Sequence, residues 1–236
     1  MLRFIQSRTK LTFGGVAPVY RVVSTANVRP KLFAGLLCAC ACFAQPWELG
    51  GTIGYGVYRD VRIDSPGGEA TAGVRNRFTA GAVIGENLFE HFSGEIGYLY
   101  HDGDPFISAS GKRGNIQGQS HTFHYDLLFH PRNREQKVRP YLAAGVGGKY
   151  YRTTGPAPNP PPLPQIASLV QLNQWTWLVD FGAGIKYRVA KNVVLRGDFR
   201  DFITPFPTKL FVPVAGGTDR GIFHQFTPTV GLSFGF

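Results

Sequence analysis

Residues 175–187 read Trp-Thr-Trp-Leu-Val-Asp-Phe-Gly-Ala-Gly-Ile-Lys-Tyr. Trp175, Trp177, Val179, Phe181, Ile185 and Tyr187 fall on odd positions, and Thr176, Asp180, Gly182, Gly184 and Lys186 on even ones. A side-chain period of two belongs to a β-strand, whose successive Cβ atoms point to opposite faces. The segment is therefore a strand with one face of bulky apolar groups and one of glycines and ions. Which face looks inward decides the rest.

Seven further stretches repeat the pattern. Trp47, Leu49, Ile53, Tyr55 and Val57 oppose Glu48, Gly50, Thr52 and Gly54, and Phe78, Ala80, Ala82 and Ile84 oppose Arg77, Thr79 and Gly81. Phe92, Ile96, Tyr98 and Tyr100 face away from Ser93, Glu95 and Gly97; Phe123, Tyr125, Leu127 and Phe129 face away from Thr122, His124 and Asp126. Strands at 139–151 and 193–200 set Lys149 on one inner face and Arg196, Asp198 and Arg200 on the other. The last stretch alternates Phe226, Val230, Leu232, Phe234 and Phe236 with Thr227, Thr229, Gly231, Ser233 and Gly235.

The intervals alternate as well. Those after the first, third, fifth and seventh strands run to roughly fourteen to twenty-two residues, and those between run to roughly four to eight, the asymmetry of barrels with long outer loops and short periplasmic turns. Residues 155–164, Gly-Pro-Ala-Pro-Asn-Pro-Pro-Pro-Leu-Pro, are too proline-rich to pair and are expected as an exposed, extended loop. Pro228 lacks a ladder donor, so a bulge is expected there. Threading places Trp47, Phe92, Phe129, Tyr187 and Phe236 in an aromatic girdle at one end. Tyr58, Phe78, Tyr98, Tyr100, Tyr150, Trp175 and Phe226 fall at the other.

Side-chain volume settles the facing. A narrow eight-stranded lumen holds small residues mixed with long charged ones; Phe, Trp, Tyr and Leu would overfill it and suit lipid instead. The expected fold is all-β, an eight-stranded antiparallel up-and-down transmembrane β-barrel spanning residues 45–236. Its lumen carries a charge network of Glu48, Arg77, Glu95, Asp126, Lys149, Asp180, Lys186, Arg196, Asp198 and Arg200, equal in sign and able to pair. Asp104 and Asp219 are expected as solvated loop charges.

The C-terminal run Thr229-Val-Gly-Leu-Ser-Phe-Gly-Phe236, with residues 139–147 and 195–201, resembles the outer-membrane β-barrel domains of the OmpA N-terminal type. The resemblance covers about residues 47 to 236. It implies that Thr229, Gly231, Phe234 and Phe236 form a signal read by the barrel-assembly machinery, and that the protein resides in the outer membrane of a Gram-negative-type envelope.

Residues 1–44 are expected to be a leader. Arg29 and Lys31 precede an apolar stretch from Leu32 to Ala44, about thirteen residues, too short to span a bilayer as a helix and shaped like a secretory signal. Cleavage after Ala44 would remove Cys38, Cys40 and Cys42 together with six basic residues, lowering the formal net charge from +10 to +4. That leaves no basic stripe for nucleic acid. Residues 1–27 precede a leader already complete, and the expectation is that they are not translated, the product starting at a codon such as that for Val22, Val23 or Val28. Since Met1 is the only methionine, the start codon would be a non-AUG one.

Two function classes follow: a structural or surface-interaction barrel with a plugged lumen and four long extracellular loops, or a narrow pore, with a lipid-modifying enzyme as a weaker third. His121, His124 and Asp126 invite an enzyme or a metal, but alternation sends His121 outward and the other two inward, so they cannot converge. No catalytic, cofactor or metal residues are assigned. The expected partners are outer-membrane lipid, the assembly machinery and an extracellular ligand at the loops.

Overall fold

The computed structural model describes residues 47–236, the side chains of residues 219 and 220 excepted; the leader at 1–44, its cysteines and the start of translation lie outside the described residues. Fifteen strands and no helix are present among the described residues. Eight close a barrel: β1 (Trp47–Tyr58), β4 (Arg77–Glu86), β5 (Phe92–Asp102), β8 (Gly118–Phe129), β9 (Val138–Thr153), β11 (Asn173–Ala190), β12 (Val193–Pro205) and β15 (Ile222–Gly235). Each is antiparallel to its barrel neighbours, and β1 pairs with both β4 and β15, so no edge is left open. These are the eight strands expected from alternation.

The apolar faces look outward. Phe181 is 57% and Leu232 49% exposed, while Lys186 retains only 7% of its surface. Trp47, Phe92, Phe129, Tyr187 and Phe236 are exposed at the end where the short connections lie; Tyr55, Phe78 and Trp175 are exposed toward the other. Tyr58 departs from the expected girdle. It shares its phase with Glu48 and Thr52, so its ring is buried inside.

Pro228 is accommodated without a bulge. The β1–β15 ladder pairs Gly54 with Thr229, lapses at Tyr55 and Gly56, and resumes at Val57 with Phe226 in unchanged register. On the other side Pro228 pairs with Phe199 as an ordinary ladder residue. The lost donor costs one lapse in one ladder and leaves the register unchanged.

The long connections are not open loops. β2 (Val61–Ser65), β3 (Gly68–Val74), β6 (Pro105–Ala109), β7 (Lys112–Asn115) and β14 (Thr218–Arg220) form a five-stranded sheet, and β10 (Ala167–Leu169) pairs with β13 (Phe211–Pro213). Ser110 and Gly111, with φ of 49° and 77°, join β6 to β7 through a turn that requires positive φ at both residues, the twist-matched choice for a tight hairpin. Beneath these sheets lies an apolar core that includes Ile63, Ala72, Ile107, Leu210 and Phe211 and continues into the barrel strands through Tyr58, Tyr151 and Phe223. The proline-rich segment takes part. Half of its residues are exposed as expected, but Gly155 is buried and Leu163 lies in this core, and a Cβ at Gly114 would collide with the ring of Pro162.

Candidate functional site in the barrel lumen

The register builds the lumen chemistry row by row. Gly85 pairs with Glu95, Glu95 with Asp126, Asp126 with Gly145, and Gly145 with Asp180. Three carboxylates thus share one row across β5, β8 and β11, with a glycine where a fourth side chain would stand. A Cβ at Gly145 would collide with the Asp126 carboxylate and come within 2.6 Å of Asp180. The glycine is what lets the two acids approach each other.

β12 supplies the opposing charge. Arg196 donates from Nη1 and Nη2 to the two Glu95 oxygens, at 2.8 and 2.9 Å, and from Nε to Asp198 at 2.9 Å. Arg200 donates from Nη1 to Asp126 at 2.7 Å and to Asp180 at 3.0 Å. Tyr141 donates to Asp198. Nearer the short connections, Lys186 Nζ lies 2.6 Å from Glu48 and 3.9 Å from Glu95, and Ser233 donates to Glu48. A chain of ion pairs therefore runs from Glu48 to Asp180, with every member paired. Low dielectric demands as much, because removing one partner of a buried pair is far costlier than forming the pair is beneficial.

Two expected members sit elsewhere. Arg77 lies at the rim on the long-loop side, half-exposed, pairing Asp102 at 3.0 Å and Asp104 at 2.7 Å. Asp104 is accordingly not a free loop charge. It also accepts from the Gly118 N–H. Lys149 is fully buried but has no carboxylate within 4.0 Å among the described residues. Its ammonium donates to Tyr58 Oη at 2.5 Å and to Gln225 Oε1, and lies 4.6 and 5.1 Å from the ring centroids of Tyr58 and Tyr151. The alternation pattern assigns the side of the sheet but not the partner, so nothing in the sequence distinguishes Lys149 from a paired ion.

Apolar side chains share the lumen too. Leu99, Leu178 and Phe202 cluster inside, as do Leu128, Tyr141 and Ala143. Phe202 packs edge-on to His124 with centroids 5.2 Å apart, and Leu99 is in register with Thr122, which pairs with Lys149. The apolar cluster thus reaches from the row of Lys149 to His124, the partner of Asp126. Tyr141 and Ala143 share the inward phase of Lys149, as alternation requires; Leu99, Leu128, Leu178 and Phe202 were missed because each follows the inward phase while its chemistry is that of the outward face. A cavity of about 30 Å³, lined in part by Glu95, Arg196 and Arg200, lies beside the middle of the network.

His121 and His124 separate as alternation requires. His121 shares a 2.8 Å hydrogen bond with Tyr98 Oη on the outer face, and His124 hydrogen-bonds Asp126 at 2.9 Å inside. Register adds Asp180, so that His124, Asp126 and Asp180 each bring one ligand-type atom within 4.8 Å of the others. The Arg200 guanidinium already serves both carboxylates of that group. In the C-terminal run, Phe234 and Phe236 are exposed on the outer face. Gly231 faces inward, where a Cβ would strike the Gly51 carbonyl. Thr229 pairs with Gly54 and Asp198.

No family model and no curated protein match the chain. Among solved structures, the chain is similar to the crystal structure of Neisserial surface protein A, with 12% identity and a TM-score of 0.47 over 81% of this chain and 97% of that one. It is similar to the N-terminal β-barrel domain of Pseudomonas aeruginosa OprF, with 14% identity and a TM-score of 0.43 over 80% and 97%. A third is the solid-state NMR structure of the outer membrane protein AlkL in DMPC bilayers, with 16% identity and a TM-score of 0.48 over 80% and 90%. At these identities the likeness is one of fold.

Proposed function

We propose that the chain is an outer-membrane β-barrel with a structural and surface-interaction role, holding a folded extracellular cap on a lumen closed to flow. One observation carries the reading: the interior is filled by the ion-pair chain and the Leu99, Leu178 and Phe202 cluster, beside a cavity of only about 30 Å³. That is about two to three times the minimum that holds a single water. An ion with its hydration shell needs more. The exposed girdle and belt of Phe, Trp, Leu and Ile supports hydrocarbon around the barrel, since soluble proteins rarely leave so large an apolar surface open. In this orientation the short connections face the periplasm and the cap faces outward, where its sheets are the surface offered to a ligand.

Planar-bilayer recording on the purified protein tests the reading. Steps of steady conductance would replace it with the pore; a silent bilayer, together with heat-modifiable migration that certifies a closed barrel, is the expected result. A mass shift in lipid A on expression would replace it with an enzyme.

A further inference from the structure

The mouth on the short-connection side holds a cavity of about 160 Å³ whose charged lining is Arg134, Lys137, Arg139, Lys186, Arg188 and Lys191 against Glu48 alone. Glu48 is already engaged by Lys186 at 2.6 Å. Among the described residues, no carboxylate lies within 4.0 Å of the other five cations, and residues 1–46 contain no Asp or Glu. Five positive charges therefore line one small space with no carboxylate at ion-pair distance, Glu48 and Glu90 reaching Arg139 only from farther off.

Their hydrogen bonds go to neutral acceptors. Arg139, itself buried, donates to the Arg132 and Glu90 carbonyls and to Asn87 Oδ1. Arg134 donates to the Asn87 and Phe89 carbonyls, and Arg188 to the Glu135 and Arg134 carbonyls. Carbonyls fix the guanidinium planes and tie the turn at 87–91 to the turn at 130–137, but they cancel no charge. Arg139 uses three of its five N–H groups in this way, leaving two. Lys137 and Lys191 are exposed ammonium groups at the edge, the first 5.5 Å from the Tyr187 ring centroid.

We propose that this mouth binds a phosphate group, the chemistry shared by a phospholipid headgroup and a soluble phosphate ester. Forked and point-charge donors converge from two turns and two strands. That arrangement suits an anion with several oxygens distributed in space better than a flat carboxylate, which one guanidinium satisfies. The cavity admits such a group, its volume being on the order of ten times the minimum that holds a single water. Binding would relieve the mutual repulsion that the carbonyl contacts leave in place.

The test is calorimetric titration of the full protein, extracted from membranes into a neutral, phosphate-free detergent. One arm uses inorganic phosphate at matched ionic strength, with sodium chloride as the control titrant. The other uses monomeric short-chain phosphatidylglycerol. The phosphate arm is independent of the membrane assignment, and the lipid arm rests on it. Saturable heat with either titrant and not with chloride is expected, weakened about fivefold in Lys137→Gln/Lys191→Gln, whose ammonium groups make no hydrogen bond among the described residues. Saturation by inorganic phosphate identifies a free-phosphate site, and saturation by lipid alone identifies a headgroup site. Arg188→Gln, checked for heat-modifiable migration, provides a second variant. The proposal is overturned if neither titrant saturates, or if the curves of folded variants superimpose on that of the parent protein.

Discussion

Arg196 on β12 and Glu95 on β5 meet across the lumen as a two-pronged pair, Nη1 to Oε2 at 2.8 Å and Nη2 to Oε1 at 2.9 Å. They are far apart in sequence and their strands are not neighbours, so the pair clamps the barrel across its width. Arg196→Met leaves two buried carboxylates, Glu95 and Asp198, short of a partner. The expected loss is about 3–5 kcal/mol of unfolding free energy, read from the urea midpoint in lipid vesicles. Arg196→Met/Glu95→Met recovers part of it, because the stranded charge goes with its partner.

Lys149 predicts the contrary pattern. Its ammonium is buried against hydroxyl, amide and rings rather than a carboxylate. Lys149→Met removes an expensive desolvated charge at the cost of leaving Gln225 Oε1 with one bond fewer. We expect a loss below about 2 kcal/mol, clearly smaller than that of Arg196→Met in the same urea titration.

Phe181 tests the outer face. It stands at 57% exposure in the middle of β11, opposite Ala144 and Asp201 on the neighbouring strands. Phe181→Arg is expected to cost about 2–4 kcal/mol in a bilayer, the depth-dependent penalty of a charge turned to hydrocarbon, and Phe181→Leu far less. Equal costs for the two would argue that this face meets water.

Ile107 tests the cap. It is fully buried in the apolar core under the five-stranded sheet. Ile107→Ala opens a cavity there, and a loss of about 2–5 kcal/mol is typical of a buried aliphatic side chain cut back to Ala. Limited proteolysis should then cut within 59–76 or 103–117 while heat-modifiable migration of the barrel persists.

His130, in the turn following β8, gives a pH dependence. Burial first, with Arg139 and Lys186 nearby, holds its pKa down at about 3, against an ordinary imidazole value of 6.5. As the pH falls below 6.5 the unfolded chain takes up a proton that the native state refuses, so stability drops progressively toward pH 3. His130→Gln should flatten that part of the urea-midpoint profile and leave the profile above pH 7 unchanged. A variant that tracks the parent protein throughout would contradict it.

Alternation carried much of the architecture because it reports the two properties a barrel strand must have at every step. Glu48, Glu95, Asp126, Asp180, Lys186, Arg196, Asp198 and Arg200 are inward because a one-residue slip would turn them to the outer face. The same rule kept His121 away from His124. It failed at Tyr58, where an aromatic identity outweighed the phase, and at Leu99, Leu178 and Phe202, whose inward phase carries apolar side chains. Arg77 and Asp104 were separated in the reading yet form one rim pair.

By itself the sequence determined the eight barrel strands, their up-and-down order and the side from which each charge projects, since these depend on local period and on the lengths of connections. Tertiary structure alone decided who meets whom: that Gly145 lets Asp126 and Asp180 converge, that Lys149 goes without a carboxylate, and that the long connections fold into sheets over a core of their own. The physical reason is reach. Facing is fixed by a residue's immediate neighbours, whereas partnership depends on register and on distances across the lumen, between positions as far apart in the chain as Glu95 and Arg196.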